Sequence, residues 1–183
     1  GTQNLKLPMD SLGKRDGTLS DYVVRNGPGY AETDFIFPKD KSWTFMFISK
    51  LDKNIADLQV GDDKTYFGSN FASNYIAYAF NVPLYLGSSF PNGEYVMQHI
   101  TYNHETGIAQ LGFNASVYKT EVDVSSGTTG TSFMRIKEAI NIQTEINDSG
   151  TIKDLQLKLD KALTQEELTI IYNDAVAEGL LSW

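Results

Sequence analysis

Residues 95–124, YVMQHITYNHETGIAQLGFNASVYKTEVDV, constrain the fold more than any other stretch, because they read as three short strands joined by two tight turns. Tyr95 to Tyr102 forms the first strand, and Asn103-His104-Glu105-Thr106-Gly107 supplies the polar residues and the glycine that a hairpin turn of this length requires. Ile108 to Phe113 returns to Asn114-Ala115, a weaker turn signal than Asn-Gly, since Asn tolerates φ > 0 and Ala does not. The third strand alternates. Tyr118, Thr120, Val122 and Val124 share one face, while Val117, Lys119, Glu121 and Asp123 share the other, so one side meets a core and the other water. A domain of this kind is an antiparallel β-sandwich that presents a surface, and binding becomes the leading functional expectation.

The remaining pattern extends the same architecture. Leu5 to Met9 reads as an opening strand, and residues 10–29 as a long surface loop with an embedded strand at Tyr22 to Arg25. Asp34 to Phe37 is a brief strand. Trp43 to Lys50 is the most apolar, with Trp43, Phe45 and Phe47 on one face and Met46 and Ile48 on the other, which predicts a central strand covered on both sides. Residues 51–74, with Tyr66 and Phe67 inside, read as a loop or short hairpin at the rim. Further strands are expected at Tyr75 to Phe80, Pro83 to Leu86, Phe133 to Ile142 and Thr151 to Leu159. Only the C-terminus is helical: Thr164 and Glu167 spell a capping box, and Leu168, Ile171, Tyr172 and Ala175 recur at helical spacing before Gly179. This helix should close one edge or end of the sandwich.

Composition narrows the partners. The 183 residues are most simply one domain, 1–183, large enough to bury a core without staples, with residues 1–3 read as a linker or scar. The absence of Cys excludes disulfides and thiolate metal sites. A net charge of −8, with fifteen scattered Lys and Arg, argues against nucleic acid, whose phosphates need clustered cations. Without a run of eighteen apolar residues, no membrane insertion is expected.

In order of parts the chain resembles the concanavalin A-like, laminin-G-like jelly-roll family. The resemblance rests on Thr101-Tyr102-Asn103, Thr106-Gly107 and Gly112-Phe113-Asn114-Ala115, and on the closing run Ile152-Lys153-Asp154-Leu155, Asp160-Lys161-Ala162-Leu163 and Thr164-Gln165-Glu166-Glu167-Leu168. It implies an all-β, two-sheet antiparallel sandwich with a short C-terminal α-helix. Where the family has Tyr and the turn Gly, this chain has Gly112 and Ala115, and one extra residue between Asp154 and Asp160 suggests a bulge in the last strand. The same sandwich hosts lectins, adhesion modules, carbohydrate-binding modules and glucanases, so fold alone does not choose among them.

Glycosidases of this architecture carry alternating carboxylates on one strand, as nucleophile and proton donor. Glu121-Val122-Asp123 begins such a run, but Ser125 and Ser126 follow, so the acid is missing and the pair reads as a solvated strand face. No Gly-x-Ser-x-Gly elbow, His-Glu-x-x-His motif or phosphate loop occurs. The two histidines, His99 on a strand and His104 in a turn, lack zinc spacing. Asp10, Asp16, Asp21, Asp62 and Asp63 offer loop oxygens of the kind calcium takes, in no recognisable motif, so no cofactor is expected and a structural calcium is left unassigned.

Sugars are held by aromatic rings against their C–H faces, with amides, carboxylates and Arg on the hydroxyls. Tyr66 to Gln98 is rich in Tyr, Phe and Asn, and the expected ligand-binding residues are Asn74, Tyr75, Tyr85, Tyr95, Gln98 and His99. The leading expectation is a non-catalytic module that binds a cell-surface or cell-wall polysaccharide as part of a larger polypeptide. Its setting would be extracellular, on a cell surface or on a virion tail or baseplate adhering to its host. The alternatives are a protein-interaction or spacer domain of the same fold and, third, a diverged glycosidase.

Overall fold

The computed structural model describes residues 3–4, 29–32, 35–50, 59–69, 75–87, 93–132, 134–138 and 152–183. Its strands are β1 (Gln3–Asn4), β2 (Gly29–Glu32), β3 (Trp43–Lys50), β4 (Gln59–Gly61), β5 (Tyr66–Ser69), β6 (Tyr75–Ala79), β7 (Val82–Gly87), β8 (Tyr95–Asn103), β9 (Ile108–Phe113), β10 (Val117–Asp123), β11 (Arg135–Glu138) and β12 (Ile152–Leu159). Among the described residues there is one helix, α1 (Gln165–Ala177). The strands form two sheets, β1-β2-β11-β4-β5-β6-β7 and β10-β9-β8-β3-β12, antiparallel except for the β1–β2 pair. The fold is an all-β, two-sheet antiparallel sandwich with a short C-terminal helix.

Side-chain alternation joins the sheets. On β3, Trp43, Phe45 and Phe47 point into the space between them, where Val60 and Phe67 arrive from β4 and β5. Phe47 meets Phe67 edge-on, ring centroids 5.0 Å apart at 77°, a favoured aromatic arrangement at the centre of the core. The even residues Met46 and Ile48 face the other way, into a second cluster with Met97, Leu168 and Ala175. Both faces of β3 are thereby covered, as its unbroken apolar run predicts, although it lies next to the edge strand β12.

The helix lies on the outer face of the five-stranded sheet rather than at an edge or end, because Leu168 and Ala175 find their apolar partners on the even face of β3 and on β8. Thr164 and Glu167 close the expected capping box, and Gly179 at φ +71° ends the helix, with the Leu180 N–H donating to the Ala175 carbonyl.

Two further details differ from the sequence pattern, and a third, the bulge in the last strand, agrees with it. The segment 59–69 is a hairpin inside the seven-stranded sheet, not at its rim, since Val60 and Phe67 are wholly buried. Phe35 to Phe37 is not in a strand; both phenylalanines nonetheless enter the core. The last strand is bulged, at Ile152/Asp154. The expected strands at Leu5 to Met9 and Tyr22 to Arg25, Phe133, and the end of the next strand beyond Glu138 lie outside the described residues.

Candidate functional site

Three of the residues expected to bind ligand, Tyr85, Gln98 and His99, are interior. Tyr85 projects between the sheets, 8% exposed, with its ring edge-on to Phe113. Gln98 is fully buried, its amide donating to the Val96 carbonyl at 2.6 Å and to the Ser49 hydroxyl at 3.0 Å. His99 and Tyr95 are on the opposite side of β8, and that side is the one α1 covers. His99 is 2% exposed, and its Nε2 accepts the Ala115 N–H at 3.1 Å, which fixes the lone pair of a neutral ring on that nitrogen. Tyr95 is half-buried against the helix cluster, and its N–H donates to the Ser182 hydroxyl. Tyr85, Gln98 and His99 are therefore structural residues, not surface ligands. Asn74 lies outside the described residues, and Tyr75 is described as the β6 position opposite Ser69 and Gly87.

Alternation along β7 and β8 sets which way each side chain points, but not that the second sheet closes one face and α1 the other. A polar side chain on a strand is buried as readily as an apolar one when neighbouring groups satisfy it.

The outer face of the seven-stranded sheet is composed differently. On β5 and β6 the inward residues are Phe67, Ala77 and Ala79, so alternation turns Tyr66 and Tyr78 outward. They are directly opposed across the strand pair, both half-buried, with rings stacked at a centroid distance of 5.2 Å and 24° between planes. Burial pushes the Tyr66 phenol up, and the neighbouring Tyr78 phenol adds to the rise. Tyr78 occupies one side of Tyr66. On its other side the cross-strand neighbour is Gly61, which has no side chain.

Strand register extends this pair into a row. From β1 to β7 the positions in line are Asn4, Glu32, Arg135, Gly61, Tyr66, Tyr78 and Pro83. At about 4.8 Å per strand, Arg135 to Pro83 spans roughly 19 Å, the length of several linked hexoses. The row two residues along contains Tyr30, Lys137, Gln59, Gly68 and Ile76. The signal for this face lay in YIAYA, where small Ala77 and Ala79 mark the side packed against large core rings, and Ile76 and Tyr78 the other.

The carboxylates at the sandwich end are engaged by protein donors. Asp62 is buried and accepts N–H groups of Thr65, Lys64 and Phe37, at 2.7, 2.8 and 3.1 Å. Burial pushes its carboxyl up; these N–H groups pull it back, and the charge of Asp63 adds to the rise. Asp63 binds the loop 130–132 through the Thr131 and Ser132 N–H groups and the Thr131 hydroxyl. Against partial desolvation, these bonds hold its carboxyl at about 2, below the ordinary 3.8. Such oxygens staple loops, and among the described residues no three His, Asp or Glu side chains gather as a metal set. Glu121 accepts the exposed Gln110 amide, and Asp123 takes the Ser125 hydroxyl and N–H, so each carboxylate has a local partner on the surface. His104, in the turn after β8, pairs its Nδ1 with the Ser42 hydroxyl at 2.9 Å.

No protein-family model matches the chain, and no curated protein matches it in sequence. In structure it is similar to the botulinum neurotoxin serotype D binding domain, with a TM-score of 0.54 and 15% identity over 74% of this chain and 36% of that one. It is also similar to the binding domain of botulinum neurotoxin DC in complex with SialylT, with a TM-score of 0.50 and 13% identity, again over 74% of this chain and 36% of the other. The fold is shared. The chain spans little more than a third of the length of those binding domains.

Proposed function

We propose that this domain is a non-catalytic carbohydrate-binding module that holds a cell-surface or cell-wall polysaccharide on the outer face of its seven-stranded sheet. The stacked Tyr66–Tyr78 pair carries the reading. Tyr66 and Tyr78 are both half-exposed on that face, so a pyranose ring lies with its C–H face against the paired tyrosines. The DC toxin's binding domain, seen in complex with SialylT, shares this fold over 36% of its length, and that likeness supports the reading. The concanavalin A-like, laminin-G-like kinship belongs to the same proposal, as does an extracellular or virion setting in which the module adheres to a host surface.

A glycan array followed by calorimetric titration of the hits tests this. Binding is expected for the intact domain, with at least a tenfold loss in Tyr66→Ala and Tyr78→Ala. Binding that survives both substitutions places the site elsewhere; an array without a hit, together with failure to sediment with bacterial cell walls, removes the function.

A further inference from the structure

Resting on that reading, we infer that this face seats a neutral hexopyranose across Tyr78 and Pro83, with its hydroxyls turned to the side-chain amide of Asn81. The tyrosine row is closed on one side and open on the other. Gly61, the β4 neighbour of Tyr66, is buried, whereas Pro83, the β7 neighbour of Tyr78, is exposed. Tyr78 and Pro83 are directly opposed and so share the outer face, about 5 Å apart at the usual strand spacing. Ala77 then pairs with Tyr85, so Leu84 is the extra residue of a bulge; Leu84 and Tyr85 both enter the core while Pro83 stays outside. Strand β7 ends its sheet, where a residue without an N–H is accommodated, and the proline ring offers a rigid apolar surface that loses no rotamer freedom when a sugar covers it.

Asn81 stands at the end of this pair. Phe80 and Asn81 are the central residues of the β6–β7 hairpin, both at positive φ, 51° and 66°, as a type I′ turn requires. The turn is held from both sides: the Asn81 N–H donates to the Lys64 carbonyl at 2.7 Å, the Thr128 N–H donates to the Phe80 carbonyl at 2.8 Å, and the Phe80 ring is wholly buried. The backbone of Asn81 is thereby fixed, while its exposed side-chain amide has no hydrogen-bond partner among the described residues. Glycine would serve this turn equally well, so what Asn81 adds is the amide, with two donors and an acceptor for adjacent ring hydroxyls. Lys64, at the same end, directly follows Asp62 and Asp63, and the chain carries a net charge of −8. An anionic sugar is repelled by that field and an uncharged one is not.

Calorimetric titrations with cellotetraose, mannotetraose and galactotetraose test the subsite. At least one of these neutral sugars is expected to bind the intact domain, with an affinity that salt leaves unchanged. Asn81→Gly keeps the turn, since glycine takes a φ of 66° without strain, and removes only the amide; it should lose at least fivefold in affinity with thermal unfolding unchanged or raised. Pro83→Ser removes the apolar ring at an exposed position and should lose at least threefold, again with the domain folded. Parent-like affinity in either variant, while Tyr78→Ala still loses binding, overturns the inference and leaves the sheet-face reading standing. A glycan array whose hits are all acidic sugars also overturns the inference alone. An array without a hit, together with no binding to any of the three tetraoses, overturns both the inference and the function on which it rests.

Discussion

Gly112→Ala should destabilise the domain by about 2–5 kcal/mol, and the reason lies in one packed imidazole. Gly112 is the cross-strand partner of His99, and a Cβ added there would come 2.4 Å from His99 Cε1 and 3.2 Å from both ring nitrogens. Ordinary contact begins near 3.4 Å, so the ring must retreat by about 1 Å. It has little space, being 2% exposed beneath α1, and crowding of this kind costs about 1–3 kcal/mol. A 1 Å retreat also breaks the 3.1 Å bond from the Ala115 N–H, leaving a buried donor without an acceptor at a cost of roughly 1–3 kcal/mol. Replacing a strand glycine returns about 0.5–1 kcal/mol. Urea unfolding followed by the fluorescence of Trp43, which is fully buried, measures the difference. With a slope of about 2 kcal/mol/M, the midpoint should fall by roughly 1–2.5 M. The second half of the cycle is more demanding: in a His99→Ala background the same Gly112→Ala change should cost less than about 1 kcal/mol, since the methyl then fills space the ring vacated. An equal penalty in both backgrounds would refute the steric reasoning, as would a change of less than about 0.5 kcal/mol in the parent.

Three shorter predictions test the surface, the loops and the helix. Tyr78→Ala should weaken glycan binding at least tenfold with a modest change in urea midpoint, whereas Tyr85→Ala should cost about 3–5 kcal/mol because its ring lies in the core; a binding loss confined to the Tyr85 variant reverses the assignment of faces. Asp63 is held at about 2 when folded against 3.8 ordinarily, so its contribution is fully present above pH 3.8 and disappears as the pH falls through 2. Asp62, pushed the other way, is relieved by protonation, so the two oppose each other. The parent should therefore lose more stability than Asp63→Asn between pH 4 and 2, and parallel stability profiles would contradict the loop-staple role. Thr164→Ala removes the side-chain half of the capping box, the hydroxyl that accepts the Glu167 N–H, and should cost about 1 kcal/mol in thermal unfolding; an unchanged midpoint would mean that packing and the remaining bond hold the helix start.

Strand positions were legible from sequence wherever alternation was clean. Residues 95–124 fold as the hairpin pair that their turn residues specify, and Asn114 and Ala115 both adopt positive φ, 47° and 68°. Ala115 tolerates this because its surroundings fix the turn: its N–H donates to His99 and its carbonyl accepts the Gln165 amide. Gly112, a departure from the family pattern, is explained by the same imidazole. What the sequence did not reveal was pairing between distant segments. The hairpin at 59–69 pairs with β11 over a long separation, and Val60 alone in a polar stretch gives little sign of becoming an inner strand. The site was misjudged for a related reason: period-2 alternation says that Gln98 and His99 face opposite ways, but not that both destinations are closed, one by the second sheet and the other by α1.

That closure divides the two sheets by task. The five-stranded sheet is dry on both faces in its middle, and its polar residues there, Thr44, Gln98 and His99, are tied to carbonyls, hydroxyls or N–H groups of the protein itself. A ligand reaching them would have to displace the helix and expose Met46, Ile48 and Met97, forfeiting about 1.5–3 kcal/mol for each large apolar side chain uncovered. The seven-stranded sheet carries no such penalty at Tyr66 and Tyr78, which are already half in water. Their inward neighbours Phe67 and Ala77 hold the strands while the outward residues remain replaceable, so substitutions on the Tyr66 row should alter what is bound without unfolding the domain. A variant of this row that changed glycan preference and kept the parent urea midpoint would show the two faces of a single strand pair under separate control.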